Sequence, residues 1–110
     1  SGYLIDSRDA NRYKGIHEPI DHKAGHIPGA INMIWTENFR DGMYLPVKEL
    51  EKRFAHLNKN ESIIVYCGSG ITATPNYIAL KEAGFKHVKI YGGSFSDWIS
   101  YPDNKIEIDQ

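Results

Sequence analysis

The sequence carries a single thiol, Cys67, and the residues that follow it, Gly68-Ser69-Gly70-Ile71-Thr72-Ala73, are glycines, hydroxyls and small or apolar side chains. A thiol attacks as its thiolate, which is a minor species at neutral pH when the pKa has its ordinary value of about 8.5. Backbone N–H groups of a tight loop can converge on an anion. A helix that follows adds its unpaired N–H groups and its positive dipole end. Gly68 and Gly70 supply the backbone freedom for such a loop, and Ser69 and Thr72 supply hydroxyls able to orient an anion. The pattern therefore offers nucleophilic sulfur chemistry beside an anion cradle. The competing reading is an inert, buried cysteine at the end of a strand.

Two other anion-binding chemistries fit less well. Neither GxxxxGK[ST] nor GxGxxG occurs, which argues against a nucleotide site. A cysteine-dependent phosphatase, or an arsenate-handling enzyme on a related scaffold, needs the arginine of C-x5-R to clamp the transferring group. Here the sixth residue after Cys67 is Ala73, and no cation lies within 68–73.

The elements around the loop are legible from periodicity. Ile63-Ile64-Val65-Tyr66-Cys67 is a continuous apolar run that reads as a buried strand with the thiol at its C-terminal end. Residues 72–83 read as the helix leaving the loop, with Ala73, Tyr77 and Leu80 on one stripe, Pro75 early and Gly84 placed to end it. Further strands are predicted at Tyr3-Leu4-Ile5, at Ala30-Ile31-Asn32-Met33 and over 88–91. Residues 46–57 predict an amphipathic helix, with Val47, Leu50, Phe54 and Leu57 on one face and Glu49 and Arg53 on another. Short helices are expected over 9–14 and 96–100. Fourteen Ile against five Leu tilt the composition toward strands. Strands alternating with helices imply an α/β domain with a mostly parallel central sheet and helices on both faces, binding ligands beyond the carboxyl ends of the strands. Residues 15–29, rich in Gly, Pro and His, read as a long ordered loop, and the polar tail from Pro102 is expected to fray.

Composition sets the outer limits. The 110 residues fit one domain, and 13 Lys+Arg against 14 Asp+Glu, with four Arg and no basic run, leave no electrostatic footprint for nucleic acid. The longest apolar run is far below the roughly 20 residues of a membrane span, and no signal peptide is legible, so a soluble, cytoplasmic protein without a membrane partner is expected. One cysteine excludes an intramolecular disulfide and a multi-cysteine zinc site, and His17, His22, His56 and His87 show no metal-ligand spacing. The start at Ser1-Gly2-Tyr3 without methionine reads as an expression scar or excision from a longer polypeptide.

Four segments together resemble one family. Cys67-Gly68-Ser69-Gly70-Ile71-Thr72-Ala73 is similar to the active-site loop of rhodanese-type sulfurtransferases, nearest to that of the mercaptopyruvate sulfurtransferases. Leu4-Ile5-Asp6-Ser7-Arg8 resembles the family's opening strand, Gly25-His26-Ile27-Pro28-Gly29-Ala30 its N-terminal signature, and Tyr91-Gly92-Gly93-Ser94-Phe95-Ser96-Asp97-Trp98 its C-terminal one. The resemblance implies a rhodanese-like fold and a two-step sulfur transfer. Cys67 takes a sulfane sulfur from a small anionic donor, thiosulfate or 3-mercaptopyruvate, as a persulfide, and cyanide or a thiol acceptor removes it. It implies no metal or organic cofactor, and it casts residues 68–73 as the substrate cradle.

Arg12 resembles the arginine that binds the donor's carboxylate or sulfonate; its competing reading is a helix arginine paired with Glu18. Asp21 stands about where many mercaptopyruvate-type relatives carry a second arginine, while Gly68-Ser69-Gly70 lacks the basic residues of thiosulfate-type loops, so the donor stays open between the two. His26 reads as a structural hydrogen-bonding residue, Asp6 and Arg8 as ties between the first strand and neighbouring loops, and Phe95 and Trp98 as core. The chain looks like the C-terminal, cysteine-bearing half of tandem proteins, which implies an N-terminal rhodanese-like domain as partner. The alternative to an enzyme is a non-catalytic rhodanese-like module that carries sulfur or binds a protein.

Overall fold

The apolar run ahead of Cys67 forms the central ladder of a parallel sheet. In the structure, a computed structural model that describes residues 2–69 and 71–109, the elements run β1 (Gly2–Asp6), α1 (Ala10–Lys14), β2 (Ile31–Asn32), a 3-10 turn (Trp35–Asn38), β3 (Phe39–Arg40), β4 (Met43–Tyr44), α2 (Val47–Arg53), β5 (Ser62–Tyr66), α3 (Thr74–Glu82), β6 (Val88–Ile90) and α4 (Ser94–Trp98). The main sheet has the order β2-β1-β5-β6, with every neighbouring pair parallel. Its register places Ile5 beside Val65 and Asp6 beside Tyr66. The carboxyl ends of β1 and β5 therefore finish side by side, and Asp6-Ser7-Arg8 lies next to the cysteine loop.

Alternation along the strands divides the core in two. Ile5, Ile63 and Val65 face one side and pack with Leu50, Phe54, Ala79 and Leu80 from α2, its end, and α3. Leu4 and Tyr66 face the other, with Ile27, Ala30, Phe95 and Ile99, and with Tyr13 of α1 and Trp98 of α4 partly buried against them. Helices thus cover both faces, as the apolar pattern implies.

Local chemistry sets the ends of the helices. Asp9 caps α1 by accepting from the Arg12 amide at 3.0 Å, and Gly15 ends it at φ +82°. Pro75 falls in the first turn of α3, where its missing N–H costs nothing. Helix α2 is shorter than the period over 46–57 suggests: after Arg53 the chain tightens into turns, although Phe54 and Leu57 remain buried. The C-terminal short helix starts at Ser94, ahead of the predicted 96. The β3–β4 hairpin, which turns on Asp41 and Gly42 at positive φ, is too short to show a two-residue period.

The C-terminal tail corrects the expectation of fraying. Glu107 exchanges backbone hydrogen bonds with His26 at 2.8 and 2.9 Å, the Asp109 amide donates to Lys14 O, and Trp98 Nε1 donates to Lys105 O. Gly25, at φ +127°, admits this strap: a Cβ there would lie 2.5 Å from Glu107 O. Among the described residues no helix is long and apolar enough to cross a membrane.

Candidate active site

Cys67 follows β5 directly and is gripped by the start of α4. Its amide donates to Ser94 Oγ at 3.0 Å and its carbonyl accepts from the Phe95 amide at 3.0 Å. The Gly68 carbonyl accepts from both the amide and the hydroxyl of Ser96, at 2.9 and 3.1 Å. The first turn of α4 would otherwise leave these donors unpaired; here they fix the backbone of the cysteine and its successor. Ser94 holds its position at φ +55°, a left-handed conformation that costs a non-glycine residue energy and that recurs at functional sites. Its hydroxyl also donates to Tyr91 O at 2.8 Å and lies 3.8 Å from Cys67 Sγ.

The sulfur itself is covered. Cys67 is 1% exposed and belongs to the core cluster beside Val65 and Ala73. A cavity of about 260 Å³ opens at the adjoining residues, lined by Gly68, Ser69, Ile71 and Thr72 on one side and by Arg12, Ile20, Asp21 and Ser96 on the other. Among the described residues, the backbone N–H groups of Gly68, Ser69, Ile71 and Thr72 donate to no protein acceptor. Ala73 is fully buried beneath the loop and caps α3 rather than lining the cavity. Gly70 lies outside the described residues.

Arg12 reaches the loop from α1. Its guanidinium lies over Gly68 so closely that a Cβ on that glycine would stand 3.1 Å from Nη2 and 3.3 Å from Nη1. It is also ion-paired: Nε donates to Glu18 Oε1 at 3.3 Å, and Nη2 lies 3.1 Å from both Glu18 Oε2 and Asp21 Oδ2. Arg12 is thus next to the cysteine loop and also paired with Glu18, the contact its competing reading expects. Burial alone would push the Glu18 carboxyl up, but the amides of Asp21 and Ile20 and the Arg12 guanidinium hold it below its usual range.

Behind this cluster stands a buried pair. Arg8 binds Asp6 through Nε and Nη2, donates to Gly25 O at 2.6 Å and lies 3.4 Å from Glu18 Oε1. Its guanidinium also stacks 4.1 Å from the centre of the Phe95 ring. Tyr66, the residue before the cysteine, is buried, and its hydroxyl accepts from the Ile27 amide. Burial, with Asp6 adding, raises its phenol pKa far above the ordinary tyrosine value. His26 is stacked on Tyr13, and its Nδ1 donates to Tyr13 O at 2.6 Å, a structural hydrogen bond. Phe95 is buried in the core.

Three participants escape the sequence analysis: Ser94 and Ser96, which hold the cysteine backbone, and the engagement of Arg12 by Asp21. Hydroxyls just after Gly92-Gly93 at the start of a short helix are the available signal for the first two. The Asp21 contact joins a loop to a helix, and no local pattern encodes it.

Comparison with known proteins places this arrangement. The Rhodanese-like domain family matches residues 1–101. A protein of Pseudomonas aeruginosa named probable 3-mercaptopyruvate sulfurtransferase is 45% identical over 107 residues, covering 94% of this chain and 38% of its own length. A Corynebacterium glutamicum protein named thiosulfate sulfurtransferase is 35% identical over 104 residues, covering 86% of this chain and 35% of that protein. Among solved structures, an anaerobic ergothioneine biosynthesis enzyme from Chlorobium limicola aligns with a TM-score of 0.87 at 24% identity over 99% of this chain and 28% of that one, a likeness of fold. The chain spans little more than a third of the length of the relatives it matches. With the family match running along nearly all of it, the chain belongs to the rhodanese-like domain family.

Proposed function

We propose that this domain is a sulfurtransferase working through a persulfide on Cys67. In the first step the Cys67 thiolate attacks the outer sulfur of the donor. With thiosulfate the donor's S–S bond breaks and its electron pair leaves with sulfite; with 3-mercaptopyruvate the C–S bond breaks and the departing enolate of pyruvate takes up the proton. In the second step cyanide or a thiolate attacks the outer sulfur of the persulfide, releasing thiocyanate or a new persulfide and restoring the Cys67 thiolate. Amides of residues 68–72 stabilise the persulfide and the leaving anion, and Arg12 attracts the donor's carboxylate or sulfonate.

The observation that carries this reading is the convergence, at one cavity, of the end of the thiol-bearing strand, the amides of Gly68, Ser69, Ile71 and Thr72, which among the described residues donate to no protein acceptor, and a guanidinium directly over Gly68. Because Cys67 is 1% exposed, transfer requires the loop to shift enough to admit the donor sulfur. The length of the relatives and the exposed Ile16, Ile20 and Ile71, two of which line the cavity, support the reading that an N-terminal rhodanese-like domain covers this mouth in a longer protein.

The test is direct. Incubation with thiosulfate or 3-mercaptopyruvate adds one sulfur atom to Cys67, detected by mass spectrometry, and cyanide then releases it as thiocyanate; Cys67→Ser gives neither. Absence of an adduct with both donors overturns the proposal. The near-complete burial of the thiol favours one second reading, a non-catalytic sulfur-carrying or protein-binding module, which is insensitive to donors while fully folded.

A further inference from the structure

The cavity wall opposite the cysteine loop is not simply basic. Its charged lining is one guanidinium, Arg12, and one carboxylate, Asp21, and behind them the buried Asp6, Arg8 and Glu18 complete a network of three carboxylates and two guanidinium groups. Asp21 is the member of this group that lines the cavity together with Arg12. Its Oδ2 lies 3.1 Å from Arg12 Nη2 and its Oδ1 3.5 Å from Ser96 Oγ, while its backbone amide donates to Glu18 Oε2 at 3.0 Å, so both side chain and backbone are held at the mouth. It takes the place at the guanidinium that a bound anion would take.

We propose that Asp21 is a specificity-determining residue of the donor site: its carboxylate competes for Arg12 and offsets the charge of that guanidinium, so that donors are disfavoured in proportion to their negative charge and a singly charged donor is preferred to a doubly charged one. The inference rests on the sulfurtransferase reading above. The physics is that of a fixed charge acting on a mobile one. The repulsion is linear in donor charge, so its effect on the logarithm of kcat/KM is twice as large for a dianion as for a monoanion. A residue that merely held Arg12 in place would behave differently, since its loss would weaken both donors together.

The experiment compares the full chain with Asp21→Asn and Asp21→Glu, using 3-mercaptopyruvate as the monoanion and thiosulfate as the dianion over a range of salt concentrations. In Asp21→Asn, kcat/KM is expected to rise about threefold for the monoanion and about ninefold for the dianion, a size suited to one partly exposed charge. The change lies in KM. Added salt screens Asp21, so the gap in kcat/KM between wild type and Asp21→Asn narrows as salt rises, more steeply for the dianion. Asp21→Glu retains the wild-type ratio between donors. An unchanged donor ratio in Asp21→Asn, or an equal loss with both donors, overturns the proposal. Sulfur loading of wild-type Cys67 separates the two levels: loading with an unchanged donor ratio sinks only the role of Asp21, whereas no loading with either donor sinks the sulfurtransferase reading and this inference with it.

Discussion

Ser94 couples backbone strain to the placement of the cysteine, and two substitutions separate the two effects. The Ser94 hydroxyl accepts from the buried Cys67 amide at 3.0 Å. Removing it costs the buried amide this hydrogen bond, a loss of about 1–3 kcal/mol. The carbonyl of Tyr91, which the hydroxyl also serves, keeps the bond from the Ser94 amide at 3.1 Å and is not orphaned. Ser94→Ala therefore loses about 2 kcal/mol and retains the strain of φ +55°. Ser94→Gly loses the same hydrogen bond but removes a left-handed penalty of roughly 1 kcal/mol. Stability should fall in the order wild type, Ser94→Gly, Ser94→Ala, with about 1 kcal/mol between the variants. Urea denaturation monitored by tryptophan fluorescence measures all three. If Ser94→Ala is as stable as wild type, the hydrogen bond is not what holds Cys67; if Ser94→Gly is the less stable variant, the backbone at Ser94 is not strained.

Three further perturbations probe the mouth and its supports. Gly68→Ala places a Cβ 3.1 Å from Arg12 Nη2, a contact that a shift of the guanidinium by a few tenths of an ångström relieves, so stability should change by under about 0.5 kcal/mol while KM for anionic donors rises severalfold, as read from denaturation and initial rates. Glu18 has its pKa lowered by folding, so the stability it contributes is fully present above the ordinary glutamate value of 4.5 and is lost as pH falls through the lower, folded value. Glu18→Gln is accordingly less stable than wild type at neutral pH and converges on it in acid, which denaturation at a series of pH values would show. Arg8→Met strands the buried carboxylate of Asp6 and should cost about 3–5 kcal/mol, with part recovered when Asp6→Asn is added in a double-mutant cycle.

The legible parts of the sequence are those where one residue type has one physical use. A five-residue apolar run marks a strand with a buried face, so β5 is legible to within a residue although Ile64 is exposed, and Pro75 and Gly84 bracket α3 because neither fits a helix interior. Cys67 stood out because a lone thiol before a glycine loop combines a nucleophile with available amides. What stayed hidden depends on contacts between segments distant in sequence. The tail reads as polar, yet its docking comes from backbone pairing of Glu107 with His26 and from the absence of a side chain at Gly25, neither of which leaves a periodic trace. The period over 46–57 overstates α2 because Phe54 and Leu57 can be buried from a turn as well as from a helix. Glu49 and Arg53, four apart, suggest a pair along the helix, but Arg40 from the hairpin takes Glu49, and Arg53 turns to Asn38 and Ile34 O.

The long loop between α1 and β2 shows why site and fold share residues here. Glu18 accepts from the amides of Ile20 and Asp21 and faces both Arg8 and Arg12, so one carboxylate ties the loop to the end of β1 and to α1 at once. Buried ion pairs of this kind contribute little net stability, because desolvation offsets the attraction; what they fix is geometry. Here they fix Arg12 over Gly68 and Asp21 beside it. A loop of the same length packed by apolar side chains could be as stable, but it would not place a cation against the cysteine loop. The same economy sets the Asp21 carboxylate against the Arg12 guanidinium at the cavity, so the cation beside the cysteine loop is offset by an anion from the loop that positions it.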